Sequence, residues 1–275
     1  MRHQGWILVM SGVVCSLFEA RAQIVLSGSA YSENFDGLSS TGTGNAWSDH
    51  ATIPGWYAGS TSGFGGDYRA GSGTSTTGDL YSFGTGSDRA LGSLASSGSG
   101  GFAYGVRLQN GSGQTLGGFV LSYHAEQWRD SRTSVQTLEF SYKISSTALT
   151  APEPAHAPGV GGWVGLAGLN FASPQFAASG ALDGNAAANR QSFLAVGLTG
   201  ATLNPGEELF LRWTDADDTG SDHAFGIDNF SIAYSAVPEP EEITMVTGAV
   251  LLGAWGFASR WRQGRSATQA GGNRP

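Results

Sequence analysis

Five aspartates, Asp215, Asp217, Asp218, Asp222 and Asp228, crowd into a short stretch late in the chain. Closely spaced carboxylates suit a hard cation, because Ca²⁺ takes six to eight oxygens and carbonyls and water can complete the shell. The stretch is therefore a candidate Ca²⁺ loop. No Glu stands at the twelfth position from Asp215 or Asp217, so the spacing is not that of an EF-hand. A solvated acidic turn is the alternative. A second group is His124, Glu126 and Trp128, which share one face if a strand running from Phe119 continues through them. A carboxylate beside an aromatic ring can read a sugar: the ring stacks on the C–H face and the acid accepts hydroxyls. The structural alternative pairs Glu126 with Arg129 or Arg132 and packs Trp128 beneath a loop.

Catalysis is not expected. A glycosidase needs a second carboxylate about 5–10 Å from the first, and the chain has no Glu-x-Asp-x-x-Glu strand motif. Ser221, Asp222 and His223 are adjacent, and neighbours on a strand point to opposite faces, so they make no triad among themselves. No Gly-x-Ser-x-Gly precedes a helix. Ser97–Gly101 is a flexible loop rather than a phosphate cradle, because neither Lys nor a helix follows it.

Strands must position these groups. In Thr137–Ile144, Leu138, Phe140, Tyr142 and Ile144 face one way and polar residues the other, the period of a half-buried strand. Leu209–Trp213, Phe119–Tyr123, Phe193–Leu198 and Ile227–Tyr234 are further strands. Asn110–Gly113, Asp183–Asn185 and Asn204–Glu207 carry turn chemistry between them. Ala186–Arg190 could form one helical turn, while Ala151–Pro158 and Gly71–Gly78 read as exposed loops. The 43 glycines disfavour long helices, and 40% hydrophobic content argues against a solvated coil. The expected fold is all-β, a jelly-roll-like antiparallel β-sandwich over residues 23–236.

The formal charge is −8, and between Gln23 and Val237 there are 8 Arg and Lys against 18 Asp and Glu, a net of −10. Such a surface repels phosphate backbones, so no nucleic-acid partner is expected. The single cysteine, Cys15, precedes the domain, which therefore has no disulfide of its own to lean on.

The two ends read as addresses. A short basic start and the apolar run Trp6–Phe18 lead to Ala20-Arg21-Ala22, whose small residues suit a signal peptidase cutting after Ala22. Residues 1–22 are thus the expected signal peptide. At the other end Val237-Pro238-Glu239-Pro240 precedes an apolar helix over about 243–259. Its 16 uncharged residues, Ile243–Ala258, span roughly 24 Å against a bilayer core of about 30 Å. Arg260, Arg262 and Arg265 follow and would stay in the cytoplasm, and residues 266–275 form an expected disordered tail.

The Pro-Glu-Pro box, short apolar helix and basic cluster, in that order, resemble the PEP-CTERM sorting signal over residues 237–265. The resemblance implies an exosortase as processing partner, transient anchoring in the membrane through the helix, and delivery to the cell surface or extracellular matrix. The middle is similar to a domain common in PEP-CTERM proteins. The matching residues are Asn34-Phe35-Asp36, Ile53–Tyr57, Arg89–Ser93, Asn110–Gly113, Glu126–Arg129, Leu138–Tyr142, Leu182–Arg190, Leu211–Asp215, and Asp222-His223 leading to Ile227–Phe230. That resemblance defines no activity. Two functions follow as expectations: a non-enzymatic surface protein associated with exopolysaccharide, or a carbohydrate-binding module presenting Trp47, Trp56, Trp128 or Trp163.

Overall fold

The computed structural model describes residues 23–238. The expected signal cleavage at Ala20 and Ala22, Glu239 and Pro240 of the sorting box, the apolar helix, and Arg260, Arg262 and Arg265 lie outside them. Val237 and Pro238 are described, and the Val237 N–H donates to the Thr115 carbonyl. No helix among the described residues is long and apolar enough to cross a membrane.

Sixteen strands run in chain order as β1 Ile24–Leu26, β2 Ala30–Glu33, β3 Asn45–Ala46, β4 Trp56–Ser60, β5 Asp67–Gly71, β6 Asp79–Phe83, β7 Ala90–Leu94 and β8 Phe102–Asn110. They continue as β9 Leu116–Asp130, β10 Thr137–Ser145, β11 Val164–Gly165, β12 Phe171–Ala172, β13 Gly180–Ala181, β14 Arg190–Gly197, β15 Glu208–Asp215 and β16 Ala224–Ala236. A 3₁₀ turn at Ala167–Leu169 is the helical element among the described residues; Ala186–Arg190 is a turn entering β14. One sheet has the order β1-β8-β15-β10-β11, with β4 also on β8 and β12 also on β10. The other runs β13-β9-β16-β7-β6-β5-β3, with β14 also on β9 and β2 also on β16.

The expected all-β sandwich is thus present, but its sheets are mixed. β1 pairs with β8, and β5 with β6, in parallel. For the second pair the chain must return along Ser72–Gly78 before β6 begins. It does so hard against β9, where Gly73 has φ +79° and a Cβ would stand 1.7 Å from the Trp128 carbonyl oxygen. No other residue fits there.

Period-two alternation builds the core. Leu138, Phe140, Leu209, Leu211 and Trp213 from one sheet meet Phe119, Leu121, Tyr123, Phe225, Ile227 and Phe230 from the other, all almost fully buried. Trp213 sits at the centre, stacked on Trp56 and edge-on to Tyr123, Phe140 and Phe230, with centroids 5.1–6.0 Å away.

The outward faces depart from the expected pattern, because loops roof both. On the first sheet Tyr57, Leu149, Trp163 and Phe210 form a second cluster. Ala151–Pro158, expected to be exposed, is instead strapped down by Arg212. Its guanidinium donates to the carbonyls of Pro152, Glu153 and His156 and to Ser141 Oγ, and lies 3.7 Å from the Trp163 ring. On the second sheet Tyr81, Phe83, Ala90, Leu94, Trp128 and Ala224 form a third cluster. β14, which holds most of the expected Phe193–Leu198 strand, is a mostly exposed edge, broken by a bulge between Phe193 and Val196 where Ala195 has φ +53°. Leu194 is 72% exposed as a result.

Candidate functional site

β9 is the longest strand and carries His124, Glu126 and Trp128 on its outward face, as the alternation requires. The face is sealed, however. Trp128 is 1% exposed and continues a ring stack, Tyr81 on Phe83 at 4.7 Å and Phe83 on Trp128 at 5.7 Å. The 182–189 loop closes over it: Leu182 N donates to the Trp128 carbonyl, and a Cβ on Gly184 would lie 2.4 Å from the Trp128 ring. Trp128 is thus packed beneath a loop, the structural alternative, and offers no ring for sugar stacking. Trp47, Trp56 and Trp163 are buried too, so none of the four offers a platform.

Glu126 lies beneath the same roof. Trp128 Nε1 donates to its Oε2 at 2.9 Å, while Oε1 has no partner; Arg129 and Arg132 turn elsewhere. Asp228 comes close because β16 pairs with β9, placing Asp228 opposite His124 and Gly226 opposite Glu126. A bulge after Asp228, with Asn229 at φ +51°, turns the Asn229 backbone N–H and Nδ2 onto the Asp228 carboxylate. Burial first, then the neighbouring Asp228 charge, pushes Glu126 up to about 8. Burial pushes Asp228 up to about 7 against the Asn229 hydrogen bond, with Asp88 and Asp36 adding repulsion. His124 is half-buried, beside Ser192 Oγ at 2.9 Å.

Asp228 stands apart from Asp215, Asp217, Asp218 and Asp222, whose charges act on one another. Asp228 belongs to the Glu126 group on the roofed face. Asp215, at the end of β15, is buried and accepts from Ser93 Oγ at 2.7 Å. Asp218 and Asp222 share Gln136 Nε2, and Asp222 Oδ1 also takes the Asp218 N–H. Among the described residues no group of three His, Cys, Asp or Glu side chains is placed to hold a metal ion. The candidate Ca²⁺ loop thus finds no such cluster among the described residues: Ser93 holds Asp215, and the Gln136 amide is shared by Asp218 and Asp222. Asp222 Oδ2 is a buried oxygen without a partner, and burial with the Asp217 and Asp218 charges raises Asp222 to about 6.

His223 is also accounted for. Its Nδ1 accepts the Ser131 N–H at 3.0 Å and Nε2 faces the Ser134 carbonyl at 3.1 Å. A ring nitrogen that accepts carries no proton, so the imidazole is neutral with its hydrogen on Nε2; burial lowers its pKa in the same sense. Asp130, 3.7 Å away, is instead satisfied by the N–H groups of Ala177, Ala178 and Ser179 and by Ser179 Oγ.

What the strands do assemble is a polar groove across one end of the sandwich. A pocket of about 280 Å³ opens between the ends of β7 and β9 and the loop before β16, lined by Ser96, Arg129, Asp130, Ser131, Ser221 and Asp222 among others. A second hollow of about 370 Å³ is lined by Phe64, Asp67, Asp79 and Ser99, and it meets the first at Ser96. Phe64 is half-buried there, edge-on to buried Phe102. Of the groups singled out from the sequence, Arg129, Ser221 and Asp222 line this groove, and Asp222 brings an unfilled oxygen. Ser96 and Phe64 carried no sequence signal, because they come from loops that only the closed sheet brings together.

Neither a family model nor a curated protein matches the chain. Solved structures similar to it include a carbohydrate-binding module, TmCBM61, in complex with β-1,4-galactotriose: 6% identity, covering 66% of this chain and 88% of that one, TM-score 0.28. A structure of carbohydrate-binding modules from the β-sandwich superfamily is 11% identical over 72% of this chain and 64% of that one, TM-score 0.26. The family 11 module from Clostridium thermocellum, in complex with a β-1,3-1,4-mixed-linked tetrasaccharide, is 12% identical over 72% of this chain and all of that one, TM-score 0.24.

Proposed function

We propose that this domain is a non-catalytic, jelly-roll-like glycan-binding module, carried to the bacterial surface or extracellular matrix by a PEP-CTERM signal and processed by an exosortase. The groove at the loop end carries the reading. A sugar presents hydroxyls in several directions and an apolar C–H face, and it is held by convergent short polar groups with some ring surface nearby. Ser96, Ser99, Ser131 and Ser221 supply hydroxyls that both donate and accept. Arg129 donates, Asp222 accepts, and Phe64 offers the apolar contact. The groove is anchored on strand ends, so little order is lost when a ligand enters.

Exopolysaccharide of the producing cell is the expected partner. The test is affinity electrophoresis or calorimetry of the exported chain against that polysaccharide, with Ser221→Trp as the blocking variant. Ser221 is exposed and lines the pocket, so a large ring there fills the mouth without entering the core. Binding by the wild type and a tenfold or greater loss in the variant, with unchanged circular dichroism, is expected. Equal binding by both would remove the groove from the account.

A further inference from the structure

We infer that the pocket at Asp222 takes a primary ammonium group, and hence that the glycan bound by this domain carries free amines, as a de-N-acetylated amino sugar does. This rests on the glycan-binding reading and narrows it.

The argument is one of unmatched charge. Asp222 is 3% exposed, lines the pocket, and has one carboxylate oxygen with no partner. Its other oxygen is already taken by Gln136 and the Asp218 N–H. Around it stand Asp217 and Asp218, with Asp215 behind. Asp130 also lines the pocket, but four donors fill its oxygens. Of the local cations, Arg129 Nη1 donates to the carbonyls of Gly73 and Thr74, and Arg132 Nη1 lies 3.6 Å from Asp218 without a hydrogen bond. Five carboxylates thus face two guanidinium groups.

A buried oxygen left empty calls for a donor. A neutral hydroxyl would fill it with an ordinary hydrogen bond. An ammonium would fill it with a charge-assisted one, roughly twice as strong, and would relieve the repulsion among Asp215, Asp217, Asp218 and Asp222. A uronate or sulfate would meet the opposite field. The net −10 of residues 23–237 works in the same direction, steering polyanions away and polycations in.

The experiment is calorimetry of the exported chain with three probes of equal length: a glucosamine hexamer, its fully N-acetylated counterpart, and hexalysine. The glucosamine hexamer is expected to bind at least tenfold more tightly than the other two. Asp222→Asn keeps the acceptor facing Gln136 and should collapse the amine preference to under threefold. Ser221→Lys, which places a competing ammonium at the mouth, should abolish the preference with the fold intact. Equal binding of the two sugar hexamers would overturn the amine assignment and leave glycan binding standing. Equal binding of hexalysine would overturn the glycan assignment. No binding of either sugar hexamer, together with no binding of the native polysaccharide, would sink both readings.

Discussion

Replacing Glu126 by Gln should make the domain less sensitive to alkali. Glu126 is 1% exposed, and its carboxyl stands at about 8 in the folded chain against 4.5 as its ordinary value. The unfolded chain therefore gives up this proton first, and folding stability falls as pH rises from 4.5 through 8. At about 1.4 kcal/mol per pH unit the full penalty is on the order of 5 kcal/mol above pH 8. The clean window is pH 7–9. There the ordinary carboxylates are ionised in both states, and His124 and His223, whose values are lowered, are neutral in the folded one. Integrating the folded-state protonation of Glu126 across that window gives about 1.4 kcal/mol lost by the wild type through this residue alone. In a domain of this size that corresponds to a Tm difference of about 3–5 °C. Gln keeps an acceptor for Trp128 Nε1 and cannot ionise, so the Glu126 share of the loss should disappear from its curve, leaving the contributions of Asp228 and of Asp215, which burial also raises. Urea melts at pH 7, 8 and 9 read the difference directly. Parallel stability curves for wild type and Glu126→Gln across this range would show that the carboxyl does not titrate there, and the sealed, repelled environment assigned to it would be wrong.

Two further outcomes follow from other parts of the chain. Gly184→Ala drives a methyl into the Trp128 ring, whose neighbours are fixed by the Phe83 and Tyr81 stack. A loss of about 1–3 kcal/mol is expected, seen as a lower Tm with a change in tryptophan fluorescence; an unchanged Tm would mean that the roof loop is not seated on the ring. For sorting, mass spectrometry of the exported protein should find a chain starting at Gln23 and lacking Arg260, Arg262 and Arg265. An intact 260–275 tail on the exported form would refute exosortase processing.

The inward faces were legible in the sequence because alternation has a fixed period: Leu138 and Phe140, and Leu209, Leu211 and Trp213, are buried as their spacing requires. The outward faces were not. Nothing local in Phe210, Arg212 or Phe83 says that a loop from elsewhere will land on their face, and each is buried. The same limit explains the candidate site. Asp222 stood out as an acid in an acidic stretch, but its unfilled oxygen is decided by where Gln136 falls, and Gln136 lies on the approach to β10. The parallel pairing of β5 with β6 was hidden for a related reason, since the Ser72–Gly78 return reads as a simple turn until its contact with β9 is known. Glu126 and Asp228 become neighbours only through the β9–β16 register.

That register has a consequence for the order in which the molecule can be completed. β16 is the last described strand, yet it lies inside its sheet, hydrogen-bonded to β9 on one side and β7 on the other, with β2 also along it. Without it the β13-β9 half has nothing joining it to the β7-β6-β5 half, and the main core lacks Phe225, Ile227, Phe230 and Ile232. On the proposed export route, a chain threaded through a translocon from its N-terminus would deliver this keystone after every other described strand. It would stay pliable through passage and close in one late step, as residues 224–236 arrive on the far side.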